Sequence, residues 1–232
     1  MPFGELDGLT LKEIRQDLFR NIISTRQSQD LFDDLSDDPD DWHTAIHLEM
    51  AFKPPHYESN QPIIDRPFEE AAYLEAIQFP FDHLGESRFS KGTFCVWYGS
   101  EQLETTIHET VYHWKEGFLK DAGFDSLDNV SVERRVHLVH CDGALINLTD
   151  KKDSWPELVG NEYGPCQELG RKIHRQGHPG LWTPSARHPG TNAAVFSSDL
   201  LTNPRPHCYL TYTLIGGLVE VSRSPGSFIL KL

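Results

Sequence analysis

The chain has 232 residues, and its 35 acidic residues against 21 lysines and arginines give a formal net charge of −14 at pH 7. This acidity argues against direct nucleic-acid binding, which needs a basic surface, and no apolar run is long enough to cross a bilayer. The N-terminus lacks the basic and apolar stretches of a secretory signal. The four cysteines are widely spaced, so we expect a cytoplasmic protein with reduced thiols. The chain length fits one large α/β domain.

The first third of the chain is predicted to be mainly helical. Apolar spacing predicts a helix over residues 9–18, with Thr10 as its N-cap, and a short strand follows at 20–24. A helix is expected at 42–50 and another at 68–77, with a proline-rich loop at 51–66 between them. An acidic run precedes the first of these helices, and we interpret it as a solvated loop and helix start, the alternative being a docking surface for a basic partner. Its members are Asp33, Asp34, Asp37, Asp38, Asp40 and Asp41.

The centre of the chain carries an arginine, a tyrosine and a glutamate at intervals of ten and eleven residues: Arg88, Tyr98 and Glu109. The β-branched and aromatic run over 93–97 predicts a buried strand, which Gly99-Ser100 should end. Apolar residues at helical spacing then predict a helix over 104–119. A strand, a turn and a helix in this order can bring a cation, a ring and a carboxylate into one cleft.

The second half of the chain is predicted to be rich in strands. Asp142-Gly143 is a hairpin signal between strands at 136–139 and 144–148. A helix over 166–176 is expected to end at Gly177. Further strands are expected at 193–196, 209–214, 218–221 and 228–230. We find no internal repeat and no linker that would divide the chain into domains.

The order and spacing of these pieces resemble the RES family of small bacterial toxins, in its longer form. The arginine and glutamate of the family correspond to Arg88 and Glu109, and its serine corresponds to Ser185 in the segment 181–192. Phe89 stands where the family usually has a tryptophan, which is a conservative departure.

The resemblance covers most of the chain, from about residue 17 to residue 200. Phe19-Arg20 resembles the opening strand of the family, and Gln167-Glu-Leu-Gly170 resembles its late helix. The predicted domain spans 1–232, with 1–16 as an N-terminal helical extension. The segment 201–232 lies beyond the resemblance and is a β extension of unassigned role.

For the fold, the resemblance implies helices around a central mixed β-sheet, similar to the ADP-ribosyltransferases, with a cleft for NAD+. For the activity, it implies an enzyme that cleaves the nicotinamide–ribose bond of NAD+. Phosphorolysis by an NAD+ phosphorylase, which depletes NAD+, is the first hypothesis, and ADP-ribosyl transfer to a protein or hydrolysis are the alternatives. NAD+ is then the substrate and inorganic phosphate the co-substrate, with no tightly bound cofactor. The expected partner is a helical DNA-binding antitoxin that blocks the cleft. The sequence does not decide the oligomeric state, and a homodimer is one alternative.

The resemblance also implies a role for each matching residue. Glu109 would stabilise the positive charge that builds on the ribose as the N-glycosidic bond breaks. Arg88 and Arg20 would hold the pyrophosphate or the attacking phosphate. Tyr98 would pack against the nicotinamide end. Ser185 is expected to hydrogen-bond the ligand, and Asn192 to hold either the loop of Ser185 or the ligand.

Two hypotheses of other classes remain. One is a catalytically silent interaction module that uses the acidic run as its partner surface. The other is a metal-dependent hydrolase, but His43 and His47, at i, i+4, supply only two ligands. His108 and His113 are five residues apart and point to different faces of a helix, so they cannot form the two-histidine zinc site of a His-Glu-x-x-His motif. We therefore predict no metal site.

Overall fold

The computed structural model describes residues 3, 8–24, 74–124, 126–223 and 227–232. Within these ranges the chain forms eight strands and three α-helices. The strands are β1 (Thr10–Ile23), β2 (Trp97–Ser100), β3 (Ser131–Asn147), β4 (Gly180–Pro184), β5 (Thr191–Val195), β6 (Leu201–Ile215), β7 (Leu218–Ser222) and β8 (Phe228–Lys231). The helices are α1 (Phe79–Asp82), α2 (Leu103–Tyr112) and α3 (Gly164–Arg175). Parallel and antiparallel strand pairs occur together, so the predicted α/β class with a mixed sheet is confirmed.

The chain folds into two compact units. The first contains Met1–Arg20, Arg66–Glu109 and His137–Arg205. The second contains Asn21–Asp65, Thr110–Val136 and Pro206–Leu232. The unit boundaries that fall in the described residues lie inside β1, α2, β3 and β6 and not in linkers. The expected single domain over 1–232 stays a prediction.

In the first unit, five strands are hydrogen-bonded in the order β1-β2-β5-β4-β3. The pairs β2–β5 and β4–β5 are antiparallel, and β3–β4 is parallel. Asn192 of β5 is the register partner of Ser100 on one side and of Thr183 on the other. The sheet therefore brings the C-terminal ends of β2 and β4 beside the start of β5.

Both faces of this sheet are buried by apolar side chains. Leu181 belongs to a core with Phe89 and Leu169, whereas its neighbour Trp182 belongs to a second core with Trp97. Successive residues of a strand point to opposite faces, so the two cores lie on opposite sides of β4. The sheet is thus a rigid support for the polar residues at its strand ends.

The second unit has an antiparallel arrangement in which β7 pairs with the end of β6 and with β8. Its core holds a buried arginine, Arg134, whose Nε donates to Asn21 Oδ1 over 2.9 Å and whose Nη2 donates to the Asn21 carbonyl over 3.0 Å. Desolvation lowers the pKa of Arg134. Asn21 Nδ2 in turn donates to the Tyr212 hydroxyl over 2.8 Å. These bonds satisfy polar groups whose burial would otherwise be costly.

The predicted helix over 9–18 is wrong, and so is the helical character of the extension 1–16 where the structure describes it. Thr10–Ile23 form β1 instead. Ile14 and Leu18 are four residues apart, which is also the spacing of a helix face, and both are buried in the first unit. Backbone pairing between Phe19 and Ser100 places this segment in the sheet. Tertiary pairing has overridden a helical local preference.

Two glycines explain the errors in the predicted strands. Asp142-Gly143 makes no hairpin, because β3 runs through it without a turn. A Cβ at Gly143 would lie 2.7 Å from Leu200 Cδ2, so the glycine permits close packing. Gly99-Ser100 does not end a strand over 93–97, because both residues belong to β2. A Cβ at Gly99 would lie 2.3 Å from the Trp97 ring.

Several other elements are confirmed. The helix over 104–119 is α2, continued by a π-helical segment at His113–Leu119. The helix over 166–176 is α3, and Gly177 follows it with a φ of +81°. The predicted C-terminal strands are β5 to β8. Strand β4 was not predicted.

Some expectations lie outside the described residues, namely the helix at 42–50, the loop at 51–66, the acidic run and His43 with His47. Of the helix at 68–77, only Leu74 onward is described, as a π-helical segment at Leu74–Gln78 that continues into α1. No helix in the described part of the chain is long and apolar enough to span a membrane.

Candidate active site

Glu109, in the last turns of α2, is the centre of a hydrogen-bond cluster in the first unit. Its Oε1 accepts three hydrogen bonds, from Ser185 Oγ over 2.6 Å, from Asn192 Nδ2 over 2.9 Å and from the backbone N–H of Ala186 over 3.1 Å. No group among the described residues donates to Oε2. The three donors therefore fix the orientation of the carboxylate through one oxygen alone.

The donors to Glu109 are themselves fixed by the ends of β4 and β5. Ser185 directly follows β4, and its Oγ accepts from the backbone N–H groups of Arg187 and His188 over 3.1 and 3.2 Å, as in a serine-capped turn. The Ser185 N–H donates to the Gly190 carbonyl over 2.8 Å, which closes the turn. Ser185 is only 2% exposed. It therefore acts on the carboxylate from a rigid position.

Asn192 connects the carboxylate to the central strand. Its Nδ2 donates to Glu109, and its Oδ1 accepts from Ser100 Oγ over 2.6 Å. Ser100 and Asn192 are register partners in β2 and β5. We call Glu109, Ser185, Asn192 and Ser100 the carboxylate cluster.

Arg88 lies before β2 and is held by backbone carbonyls. Its Nη1 donates to the carbonyl of Gly160 over 2.7 Å and to that of Leu158 over 3.3 Å. Its guanidinium carbon lies 4.6 Å from the centre of the Tyr163 ring, a cation–π contact. Since Nη1 is already bonded to the protein, a bound phosphate would have to use the other guanidinium nitrogens.

Tyr98 organises the backbone on either side of Arg88. Its hydroxyl donates to Ser87 Oγ over 3.0 Å and accepts from the Phe89 N–H over 3.2 Å. Desolvation of this hydroxyl raises the pKa of Tyr98 to about 12, so the phenol is neutral at physiological pH. We call Arg88, Tyr98 and Tyr163 the arginine cluster.

The two clusters are joined by β2. Tyr98 and Ser100 are two residues apart and share one face of the strand, which separates their Cα atoms by about 6.7 Å. No contact joins Arg88 directly to Glu109 within the described ranges.

Arg20, the predicted second phosphate contact, lies in β1 against the backbone of β2. Its Nη1 donates to the Tyr98 carbonyl over 2.9 Å, and its guanidinium carbon lies 5.6 Å from the centre of the Trp97 ring. Trp97 points to the opposite face of β2 from Tyr98. These contacts give Arg20 a structural part in the sheet.

Helix α3 supports the segment that carries Arg88. Gln167 Nε2 donates to Glu86 Oε1 over 2.9 Å and to the Ser87 carbonyl over 3.1 Å. A Cβ at Gly170 would lie 2.1 Å from the Phe89 carbonyl oxygen, so a glycine is needed where the helix meets this backbone. Gln167 and Gly170 therefore have a structural role, because they hold helix α3 against the segment that carries Arg88.

One group beside the carboxylate cluster was missed by the sequence analysis. Glu104 and His108, on α2, lie close to His188, in the turn after β4. The ring centres of His108 and His188 are 4.7 Å apart, and desolvation and the neighbouring His188 lower the pKa of His108. The only sequence signal was the i, i+4 spacing of Glu104 and His108, because His188 is 80 residues further along the chain.

The family model described as RES domain matches residues 63–215. Arg88, Tyr98, Glu109, Ser185 and Asn192 lie inside the matched range. The chain is similar to a solved structure described as the crystal structure of the M. tuberculosis MbcT–MbcA toxin–antitoxin complex, with 13% sequence identity and a TM-score of 0.47 over 88% of this chain and 87% of that chain. No curated protein matches the chain.

Proposed function

The chain belongs to the RES domain family, and from that premise we propose that it is a toxin-type enzyme that cleaves the nicotinamide–ribose bond of NAD+. The observation that carries this proposal is the Glu109 carboxylate, which three donors hold by Oε1 alone. Such a carboxylate is pre-oriented to present Oε2 to a substrate.

Cleavage of this bond needs one well-placed negative charge. When the C1′–N bond breaks, the bonding electron pair leaves with nicotinamide, and positive charge builds on the ribose. Nicotinamide enters as a cation and leaves neutral, so no general acid is required. Glu109 Oε2 would stabilise the charged ribose electrostatically and accept a hydrogen bond from a ribose hydroxyl.

Arg88 is the proposed contact for the phosphate groups of the substrate. A guanidinium binds phosphate by charge-assisted hydrogen bonds. Its bonds to the Leu158 and Gly160 carbonyls and its contact with Tyr163 hold the group in place before the ligand binds. The net charge of −14 is no obstacle, because a few positioned cations create a local positive potential.

Arg20 is the weaker phosphate contact, because its guanidinium lies over the Trp97 ring, on the face of β2 opposite to Tyr98. Tyr98 would cover the nicotinamide end with the edge of its ring, while its hydroxyl stays committed to Ser87 and Phe89. Ser185 and Asn192 would act mainly by positioning Glu109.

We propose inorganic phosphate as the acceptor. An oxygen of phosphate would form the new bond to C1′ as nicotinamide leaves, which gives ADP-ribose carrying a phosphate at C1′. Transfer to a protein or to water would follow the same bond cleavage with a different nucleophile. The proposed protein partner is an antitoxin that covers the cleft, which rests on the family resemblance alone.

The test is to incubate the purified protein with NAD+, with and without phosphate, and to identify the products by mass. The proposal predicts nicotinamide in both samples, faster release with phosphate, and a phosphorylated ADP-ribose product. Glu109→Gln protein prepared in parallel controls for contaminating activity. Equal rates without a phosphorylated product would favour hydrolysis or protein modification. No nicotinamide under any acceptor condition would favour the catalytically silent module.

A further inference from the structure

Three potential metal ligands converge where α2 begins and the turn after β4 ends. Glu104 and His108 are four residues apart, so they share one face of α2. His188 approaches that face from the turn. One ligand atom from each of the three residues lies within 4.8 Å of the others, and His188 Nε2 is 3.8 Å from Glu104 Oε1.

A fourth residue orients His188 in the way that metal-binding histidines are usually oriented. Thr105 Oγ1 lies 3.0 Å from His188 Nδ1, so the hydrogen bond occupies this nitrogen and Nε2 faces Glu104. Ligating histidines commonly bond through their second nitrogen to such a partner. Thr105 is fully buried, and a Cβ at Gly190 would lie 2.0 Å from its Oγ1, so the turn is packed directly on the helix.

The ligand types indicate which ion would bind. Two imidazoles and one carboxylate, with a fourth position for water, are a common zinc set. Ligand atoms of a tetrahedral zinc site stand about 3.3 Å apart, given bonds of about 2.0–2.1 Å. Small side-chain rotations would close the observed spacing to that value. The Glu104 side chain is 60% exposed, which leaves it free to rotate and gives the ion a route from solvent.

We propose that Glu104, His108 and His188 form a Zn2+ site that fastens the turn over 186–190 to the start of α2. This proposal departs from the sequence-based prediction of no metal site, and it does not depend on the NAD+ chemistry. His108 directly precedes Glu109, and the turn begins one residue after Ser185. Bound zinc would therefore hold the two elements whose contact orients Glu109 Oε1.

The first test is a zinc titration in competition with a chromophoric chelator. Wild-type protein should bind zinc with high affinity. His108→Ala and His188→Ala should each lose one equivalent of this binding, or weaken it by more than the 10–100-fold that loss of an outer partner costs. The matched control is His83→Ala, since His83 is an exposed histidine of the same unit that stacks on Phe79. Unchanged zinc binding by His108→Ala and His188→Ala would overturn the proposal.

The second test uses variants that should stay folded. Zinc, and not Mg2+, which prefers oxygen ligands, should raise the Tm of wild type and of His83→Ala. The rise should be absent or small for Glu104→Gln, which changes an exposed side chain. Thr105→Val should weaken zinc binding roughly 10–100-fold, and Thr105→Ser should restore it, because the hydroxyl is what orients His188. An equal zinc-dependent rise in Glu104→Gln and wild type would place the ion elsewhere and contradict the proposed site.

Discussion

The carboxylate cluster and the arginine cluster use opposite arrangements at the two ends of β2. In the first, side-chain donors converge on one oxygen of Glu109 and leave the other for a ligand. In the second, Arg88 donates to backbone carbonyls and rests on Tyr163. A substitution that keeps the three bonds to residue 109 but removes its charge should affect turnover and not stability. Loss of Arg88 removes bonds to the fold together with the proposed phosphate contact, so it should affect both stability and binding.

The largest expected effect is that of Glu109→Gln. The change keeps the size of the side chain and an oxygen for the three donors, but it removes the negative charge. Turnover of NAD+ should fall by on the order of 100-fold or more, as for loss of one electrostatic stabiliser. NAD+ affinity should change little, because the charge acts in the transition state.

The measurements for Glu109→Gln are single-turnover nicotinamide release and NAD+ titration. Glu101→Gln, at an exposed glutamate before α2, is the matched control and should behave as wild type. Wild-type turnover in a folded Glu109→Gln protein would remove Glu109 from the mechanism.

Ser185→Ala should have the next largest effect. It removes one donor to Glu109 and the acceptor for two backbone N–H groups of the turn. Asn192 and the Ala186 N–H remain to hold the carboxylate, so turnover should fall roughly 10–100-fold, the upper figure corresponding to a misplacement of about 1 Å. The measurement is kcat compared with that of Ser154→Ala, at an exposed serine. A kcat equal to the control would show that the Ser185–Glu109 bond does not position the reacting group.

Arg88→Ala should lower both stability and NAD+ affinity. Loss of its hydrogen bonds to two carbonyls should cost about 2 kcal/mol of unfolding free energy. NAD+ binding should weaken by roughly 10-fold or more, because a charge-assisted phosphate contact is lost. Arg88→Lys should recover only part of each, since an ammonium cannot make the planar two-bond contact.

Urea unfolding and calorimetry in a Glu109→Gln background, where turnover does not interfere, measure the two effects of Arg88→Ala. Arg175→Ala, at an exposed arginine of α3, is the control. If Arg88→Ala were destabilised but bound NAD+ at full strength, Arg88 would be structural only and the phosphate site would lie elsewhere.

Tyr98→Phe should have the smallest effect. The ring stays, and only the hydroxyl bonds to Ser87 and Phe89 are lost, which should cost about 1 kcal/mol of stability. NAD+ affinity should fall less than in Arg88→Ala, because Arg88 keeps its own bonds. Thermal unfolding measures the first effect, with Tyr163→Phe as a control that keeps the ring beneath Arg88. A large loss of turnover in Tyr98→Phe would show that its hydroxyl contacts the substrate.

The sequence was sufficient for elements whose signals are local. Helix α3 could be predicted because its apolar spacing ends at a glycine, and Gly177 indeed has a positive φ. The sequence was insufficient where tertiary packing decides which secondary structure a segment adopts. Ile14 and Leu18 fit a helix face as well as a buried strand, and strand pairing, such as that of Phe19 with Ser100, distinguishes the two. Gly143 resembles a turn glycine, but its role is to admit the Leu200 side chain.

The same limit applies to the candidate site. Arg88, Tyr98 and Glu109 could be named from their spacing and their resemblance to a family, whereas Tyr163, whose ring centre lies 4.6 Å from the Arg88 guanidinium, could not. The contact of Glu109 with Ser185 and Asn192 spans more than 70 residues, and it follows from the register of β2, β5 and β4. His188 was missed for the same reason, since its neighbours on α2 are distant in sequence. The carbonyl partners of Arg88 have no signal in the sequence at all.

The most direct test of the central claim is a crystal structure of the Glu109→Gln protein with NAD+ bound. The proposed role of Glu109 predicts a hydroxyl of the nicotinamide ribose within hydrogen-bond distance of the residue 109 side chain, on the side away from Ser185 and Asn192. It also predicts the pyrophosphate in contact with Arg88. A dinucleotide bound with its nicotinamide ribose away from residue 109 would contradict the assignment of Glu109 as the group that stabilises the transition state.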